Sequence, residues 1–174
     1  MESSVEQFFF EKLSARHRSR LLQFENQETD LVDYLRHDAL SQQAQGISAT
    51  YLLFGQGALI GYVTLLADGI TIKEDRALVY FFGKKGIRYA TIPALKIGRL
   101  AVSCPFQKKG FGTKLVSFAI GTACGISERI GCRLISVDAK DSARAFYGKR
   151  GFIPLQHGKR QRIMYLDLIA AAAK

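Results

Sequence analysis

KIGRLAVSCPFQKKGFGTKL, residues 96–115, reads as an apolar strand, a break at Cys104-Pro105, and a glycine-bearing loop that opens a long amphipathic helix. Strand, loop and helix N-terminus in that order make an anion site. The first N–H groups of a helix lack partners within it, and the positive end of the helix dipole points the same way. The loop is Gln107-Lys108-Lys109-Gly110-Phe111-Gly112. A side chain at Gly110 or Gly112 would hold a phosphate away from the backbone or forbid the turn, while Lys108 and Lys109 add positive charge. A diphosphate fits such a loop. The third glycine of the dinucleotide fingerprint and the Gly-Lys-Ser/Thr of the nucleotide-triphosphate loop are both missing.

Outward from this centre, the sequence predicts a single α/β domain over residues 1–174, with a fraying tail at 170–174. Val5–Leu13 reads as a first strand, and Asp30–Ala44 as a helix capped by Thr29 and ended by Gly46. Ser48–Phe54 and Leu59–Leu66 flank Gly55-Gln56-Gly57 as an antiparallel hairpin. Residues 67–93 give no settled reading; Leu78–Phe82 suits either a strand or a short amphipathic segment, and Gly83–Gly86 a basic loop. After the anion loop, Phe111, Leu115, Phe118, Thr122, Ile126 and Ile130 recur at helical spacing, Gly121 and Gly125 suggest close packing on a sheet, and Gly131 is the expected stop. A strand at Arg133–Val137, a helix capped by Asp141 or Ser142, a strand from Phe152 and a closing strand at Arg162–Leu166 complete the pattern.

The chain of 174 residues carries three cysteines, Cys104, Cys124 and Cys132, without metal-ligand spacing, and a net charge of +10. These point to reduced thiols, no metal, no disulfide staple and a cytoplasmic location. No apolar run approaches the roughly 18 residues of a membrane span, so no membrane partner is expected. No Asp or Glu occurs between Arg76 and Ser127. Such a segregated basic belt suits either a solvated face or a polyanion.

The loop resembles the Gln/Arg-x-x-Gly-x-Gly/Ala motif of the GCN5-related N-acetyltransferases, and Ala143-Arg144-Ala145-Phe146-Tyr147-Gly148-Lys149-Arg150-Gly151-Phe152 resembles the A-x-x-F/L-Y-x-x-x-G-F segment that ends that fold. The resemblance implies a central mixed, mostly antiparallel sheet in which two parallel strands splay apart, here Lys96–Val102 and Arg133–Val137. It implies acetyl-coenzyme A (acetyl-CoA) as cofactor, bound by Leu100, Ala101, Val102, Gln107, Lys108, Lys109, Gly110, Phe111, Gly112 and Thr113, with Ala143 and Phe146 beside it. Tyr147, with an ordinary pKa near ~10, is the candidate general acid for the departing thiolate. Lys140 stands where many members carry Asn. For a general base the candidates are Asp68, Glu74, Asp75, Glu128 and Asp138, none singled out. An α-amine, with a pKa of about 8, would need no such base.

Leu31–Arg36, Ala39–Tyr51, Ile60–Leu65 and Gly98–Val102 are similar to the acetyltransferase toxins of type II toxin–antitoxin pairs. That branch implies transfer to the α-amine of aminoacyl-tRNA, a block to translation, and a ribbon-helix-helix antitoxin as partner; a second copy of the chain is a further candidate. On this reading Arg16, Arg18, Lys84, Lys85, Arg88 and Arg99 are candidates for tRNA contact. The alternatives are an N-acetyltransferase of a protein N-terminus, a lysine or a small amine on the same fold, and a non-catalytic coenzyme- or antitoxin-binding module.

Overall fold

In a computed structural model, residues 7–156 and 162–172 are described. The strands are β1 (Phe9–Lys12), β2 (Ala49–Gly55), β3 (Ala58–Thr71), β4 (Thr91–Val102), β5 (Leu134–Asp138), β6 (Ile153–Pro154) and β7 (Ile163–Asp167). They form one mixed sheet in the order β1-β2-β3-β4-β5-β7-β6. The helices are α1 (Arg18–Leu21), α2 (Thr29–Asp33), α3 (Ala39–Ala44), α4 (Arg76–Gly83), α5 (Phe111–Ser127), α6 (Asp141–Gly148) and α7 (Leu168–Ala172). Two compact units share these elements, residues 1–66 with 98–119, and residues 67–97 with 120–174.

In the first unit, β2 and β3 form the expected hairpin. Gly55 pairs with Ala58 across Gln56-Gly57, whose φ angles of +53° and +74° are those of a tight two-residue turn. Gly61 lets β3 approach β4 closely, since a Cβ there would meet the Ala101 carbonyl oxygen at 2.7 Å. The predicted helix from Asp30 is continuous through α2 and α3, but Tyr34–Asp38 between them is one π-helical turn, with Ala39 N–H bonded to Tyr34 O. Glu28, not Thr29, holds the N-cap position. These helices pack Leu35 and Ala39 on a core with Leu13, Phe24, Leu52 and Tyr62.

The second unit settles the unread region. β3 continues to Thr71, and Leu78–Phe82 is helical, not a strand, because Asp75 caps α4 by accepting from Leu78 N–H at 3.0 Å. Leu78 and Phe82, one turn apart, fill a core with Ile70, Ile92, Ala94, Leu134 and Tyr165. β4 and β5 are the parallel pair, and their ladder runs only from Ala94–Leu134 to Ile97–Val137. β4 continues five residues further, to Val102. Antiparallel β7 then pairs with both β5 and β6.

Several boundaries differ from the sequence reading. α5 ends at Ser127, before Gly131, and buries Phe111, Leu115, Val116, Ala119 and Ala123, leaving Ile130 exposed. A Cβ at Gly121 or Gly125 would meet nothing within 4 Å, so neither glycine serves close packing. Lys140, not Asp141 or Ser142, is the N-cap of α6. The segment expected to fray from Ala170 is helical as far as Ala172. The expected start of the first strand at Val5 lies outside the described residues.

Candidate active site

In the first unit the end of β4 is braced from two sides. Asn26 Nδ2 donates to the Val102 carbonyl at 2.9 Å and Gln107 Nε2 donates to the same oxygen at 3.2 Å. Ser103 N–H reaches Ile60 O at 2.8 Å, and Cys104 N–H reaches Glu25 O at 2.8 Å. Gln107, expected among the cofactor ligands, thus spends its side-chain amide on holding the loop to the strand. Asn26 was missed by sequence reasoning, because one asparagine among polar neighbours carries no signal of a partner 76 residues away.

The loop beyond Gln107 turns through the left-handed region twice, at Lys108 (φ +60°) and Gly110 (φ +86°). Left-handed backbone costs a residue with a side chain about 1–2 kcal/mol, so Lys108 is strained, whereas Gly110 is not. A Cβ at Gly110 would point into open space. Thr113 N–H and Lys114 N–H both fold back on Gly110 O, at 3.1 and 3.3 Å, so α5 begins its own bonding there. The amides of Phe111 and Gly112 lead the helix, and its first turn holds no acidic side chain. Lys108 and Lys109 are exposed, with Lys109 Nζ 5.8 Å from the Phe106 ring centroid. Leu100 and Val102 are half-buried, Ala101 is buried in the core, and Thr113 is exposed.

In the second unit, α6 carries Ala143, Phe146 and Tyr147. Gly151 (φ +86°) reverses the chain so that Phe152 N–H bonds to Tyr147 O at 3.2 Å. The Tyr147 ring is clamped edge-on between Phe146, at 5.1 Å, and Phe152, at 5.4 Å. It is only 6% exposed, and among the described residues its hydroxyl has no hydrogen-bond partner. Burial pushes its pKa up to about 12, against the opposing pull of Arg150. This corrects the expectation of an ordinary phenol: Tyr147 holds its proton more firmly than a free tyrosine.

The carboxylates expected as base candidates are mostly committed elsewhere. Asp75 is buried and accepts from Leu78 N–H and Gln156 N–H, each at 3.0 Å. Asp68 accepts from the Ser136 hydroxyl at 3.0 Å, and Asp138 is ion-paired to Lys96 at 2.7 Å. Glu74 and Glu128 are exposed. The six basic candidates divide between the units. Arg16 pairs with Glu11 at 3.0 Å, Arg18 is exposed, and Arg99 lies 4.9 Å over the Tyr34 ring, all in the first unit. Lys84, Lys85 and Arg88 follow α4 in the second.

Among the described residues no group of three or more His, Cys, Asp and Glu is arranged to hold a metal ion. No helix among them is long and apolar enough to cross a membrane.

A family model described as an acetyltransferase (GNAT) domain matches residues 47–154. A tRNA-acetylating toxin of Mycobacterium tuberculosis (strain ATCC 25618 / H37Rv) is 32% identical over 125 residues, 71% of this chain and 72% of that protein. Among solved structures, AtaT complexed with acetyl-methionyl-tRNAfMet has a TM-score of 0.84 at 26% identity, covering 96% of this chain and 98% of that one. A tyrosine mutant of the AtaT toxin bound to the C-terminus of the antitoxin AtaR has a TM-score of 0.78 at 24% identity, over 95% of this chain and 96% of that one.

Proposed function

The chain belongs to the GNAT acetyltransferases, and from that premise we propose that it transfers the acetyl group of acetyl-CoA to the α-amine of aminoacyl-tRNA, blocking translation. The N-acetyltransferase activity follows from the family. The acceptor is carried by one observation, the sequence likeness to a tRNA-acetylating toxin.

The residues fit the cofactor. Gly110, open on the side where a Cβ would stand, and the leading amides of Phe111 and Gly112 would hold the diphosphate, with Lys108 and Lys109 adding charge. The stretch of β4 beyond its ladder with β5, residues 98–102, would hold the pantetheine arm through backbone hydrogen bonds. When bound, acetyl-CoA supplies an activated thioester. Tyr147 keeps the proton on its Oη through neutral pH and has a donor to spare for the sulfur that leaves. Its task is to donate a hydrogen bond to a developing thiolate, which needs a phenol that stays protonated.

The committed state of Asp68, Asp75 and Asp138 also bears on the acceptor. An α-amine with a pKa of about 8 is partly unprotonated at neutral pH and can lose its proton to water during the reaction, whereas a lysine near ~10.4 would call for a dedicated base. The protein would act in the cytoplasm, where charged tRNA is found, and an antitoxin protein is its expected regulator.

A cell-free translation reaction tests this reading. The purified chain should halt synthesis only when acetyl-CoA is present, and an excess of fresh aminoacyl-tRNA should restore it. Inhibition without acetyl-CoA, or inhibition that fresh charged tRNA leaves untouched, would reject tRNA as the acceptor.

A further inference from the structure

α4 has a face that its own unit leaves largely exposed, touched there by Arg133, whose Cζ lies 5.9 Å from the Phe81 ring centroid. Leu78 and Phe82 go into the core, while Val79, Tyr80 and Phe81 remain 45%, 64% and 40% exposed, and Tyr89, in the segment that follows, is 74% exposed. Helical spacing sets Tyr80 beside Lys84 and Phe81 beside Lys85. Lys84 Nζ lies 4.8 Å from the Tyr80 ring centroid, and Lys85 Nζ lies 5.0 Å from that of Phe81. Arg76 and Arg88 are exposed at either end, and residues 76–127 contain no Asp or Glu. Aromatic rings are thus interleaved with cations over one short segment.

We propose that this surface holds an unpaired RNA strand, with bases stacked on Tyr80 and Tyr89 and phosphates held by Lys84, Lys85 and Arg88. The proposal rests on the aminoacyl-tRNA reading and deepens it, the unpaired strand being the 3′ end that carries the amino acid. Accessible ring faces beside cations are what single-stranded nucleic acid requires, since bases stack on the former and the backbone follows the latter. A duplex offers the rings no base faces. The lysine ammonium over each ring is a weak, exposed contact, so a base can take the ring face while the lysine turns to a phosphate. A second copy of the chain is the poorer occupant, because a two-fold contact would set this basic patch, with Arg76, Lys84, Lys85 and Arg88, against an identical basic patch.

The test uses the full chain and two labelled probes, a single-stranded RNA oligonucleotide ending in CCA and a blunt RNA duplex. Tyr80→Ala and Tyr89→Ala should each weaken oligonucleotide binding roughly tenfold and leave duplex binding unchanged. Lys84→Gln with Lys85→Gln should weaken both probes and flatten the salt dependence of binding by about one to two units of slope. Because all four side chains are exposed, unfolding midpoints should stay at the wild-type value. Oligonucleotide affinity unchanged in every variant would overturn the proposal, as would a variant that turns a dimer into a monomer in sedimentation. Acetyl transfer by the wild-type chain to charged tRNA is scored in parallel. Transfer with unaltered oligonucleotide binding in the variants removes the surface and keeps the acceptor. Absence of transfer removes the acceptor, while weakened oligonucleotide binding in the variants still supports the surface.

Discussion

Tyr147 is the residue on which chemistry and structure meet. The Tyr147 ring is buried between two aromatic rings, while its hydroxyl, without a hydrogen-bond partner among the described residues, is not among the fully buried polar atoms and so is open to an incoming group. Its folded-state pKa of about 12 lies above the ordinary ~10, so the folded chain holds this proton more tightly than the unfolded chain does. That contribution to stability is complete below pH ~10 and is lost as the pH rises through the folded value. The same sign suits the proposed donor role: the proton stays in place through neutral and mildly alkaline conditions. Tyr147→Phe should therefore leave the dissociation constant for acetyl-CoA nearly unchanged and lower kcat by about 10²–10⁴-fold. The wild-type pH–rate profile should show no loss assignable to this group below pH ~10. An unaltered kcat in the phenylalanine variant would take Tyr147 out of the reaction.

At the scale of elements, Asp75 shows what one carboxylate can organise. It caps α4 through Leu78 N–H and accepts Gln156 N–H, tying the helix to the strand that ends at Pro154 within the same unit. Asp75→Ala should lower the stability of the chain by about 1–3 kcal/mol, by losing the cap and leaving a partly buried amide unpaired. A urea unfolding midpoint equal to wild type would contradict that role. The sequence offers Asp75 only as one of several candidate bases, because burial is a property of the fold and not of the residue. α4 was hard to read for a related reason: only Leu78 and Phe82 mark its buried side, too few positions to separate a period of 3.6 from one of 2. Over α5 the periodicity identified the helix and its buried start at Phe111 and Leu115, but further along Phe118, Thr122 and Ile126 are only half-buried and Ala119 and Ala123 fill the core. The turn of the β2–β3 hairpin, by contrast, was readable, since Gly57 needs the left-handed region and says so in the sequence, although the run of β3 beyond Leu66 to Thr71 was not.

For the whole molecule, the two glycine-marked segments around Gly110 and Gly151 made the fold legible, because both require backbone that other residues resist. Side-chain partners chosen across long stretches of sequence were not legible. Asn26 on Val102 and Asp68 on Ser136 depend on strands brought together by the sheet. The basic belt was visible as composition, but its exposed rings emerged only once Leu78 and Phe82 were seen to turn inward. The net charge of +10 gives a general attraction for nucleic acid and cannot by itself choose the atom that is acetylated. The most direct measurement is the fate of a labelled acetyl group when the purified chain is mixed with acetyl-CoA and total charged tRNA. Label should appear in the tRNA fraction and be released by mild alkali as an N-acetylated amino acid. Label recovered only in protein or in free amines, with none released from tRNA, would exclude aminoacyl-tRNA as the acceptor.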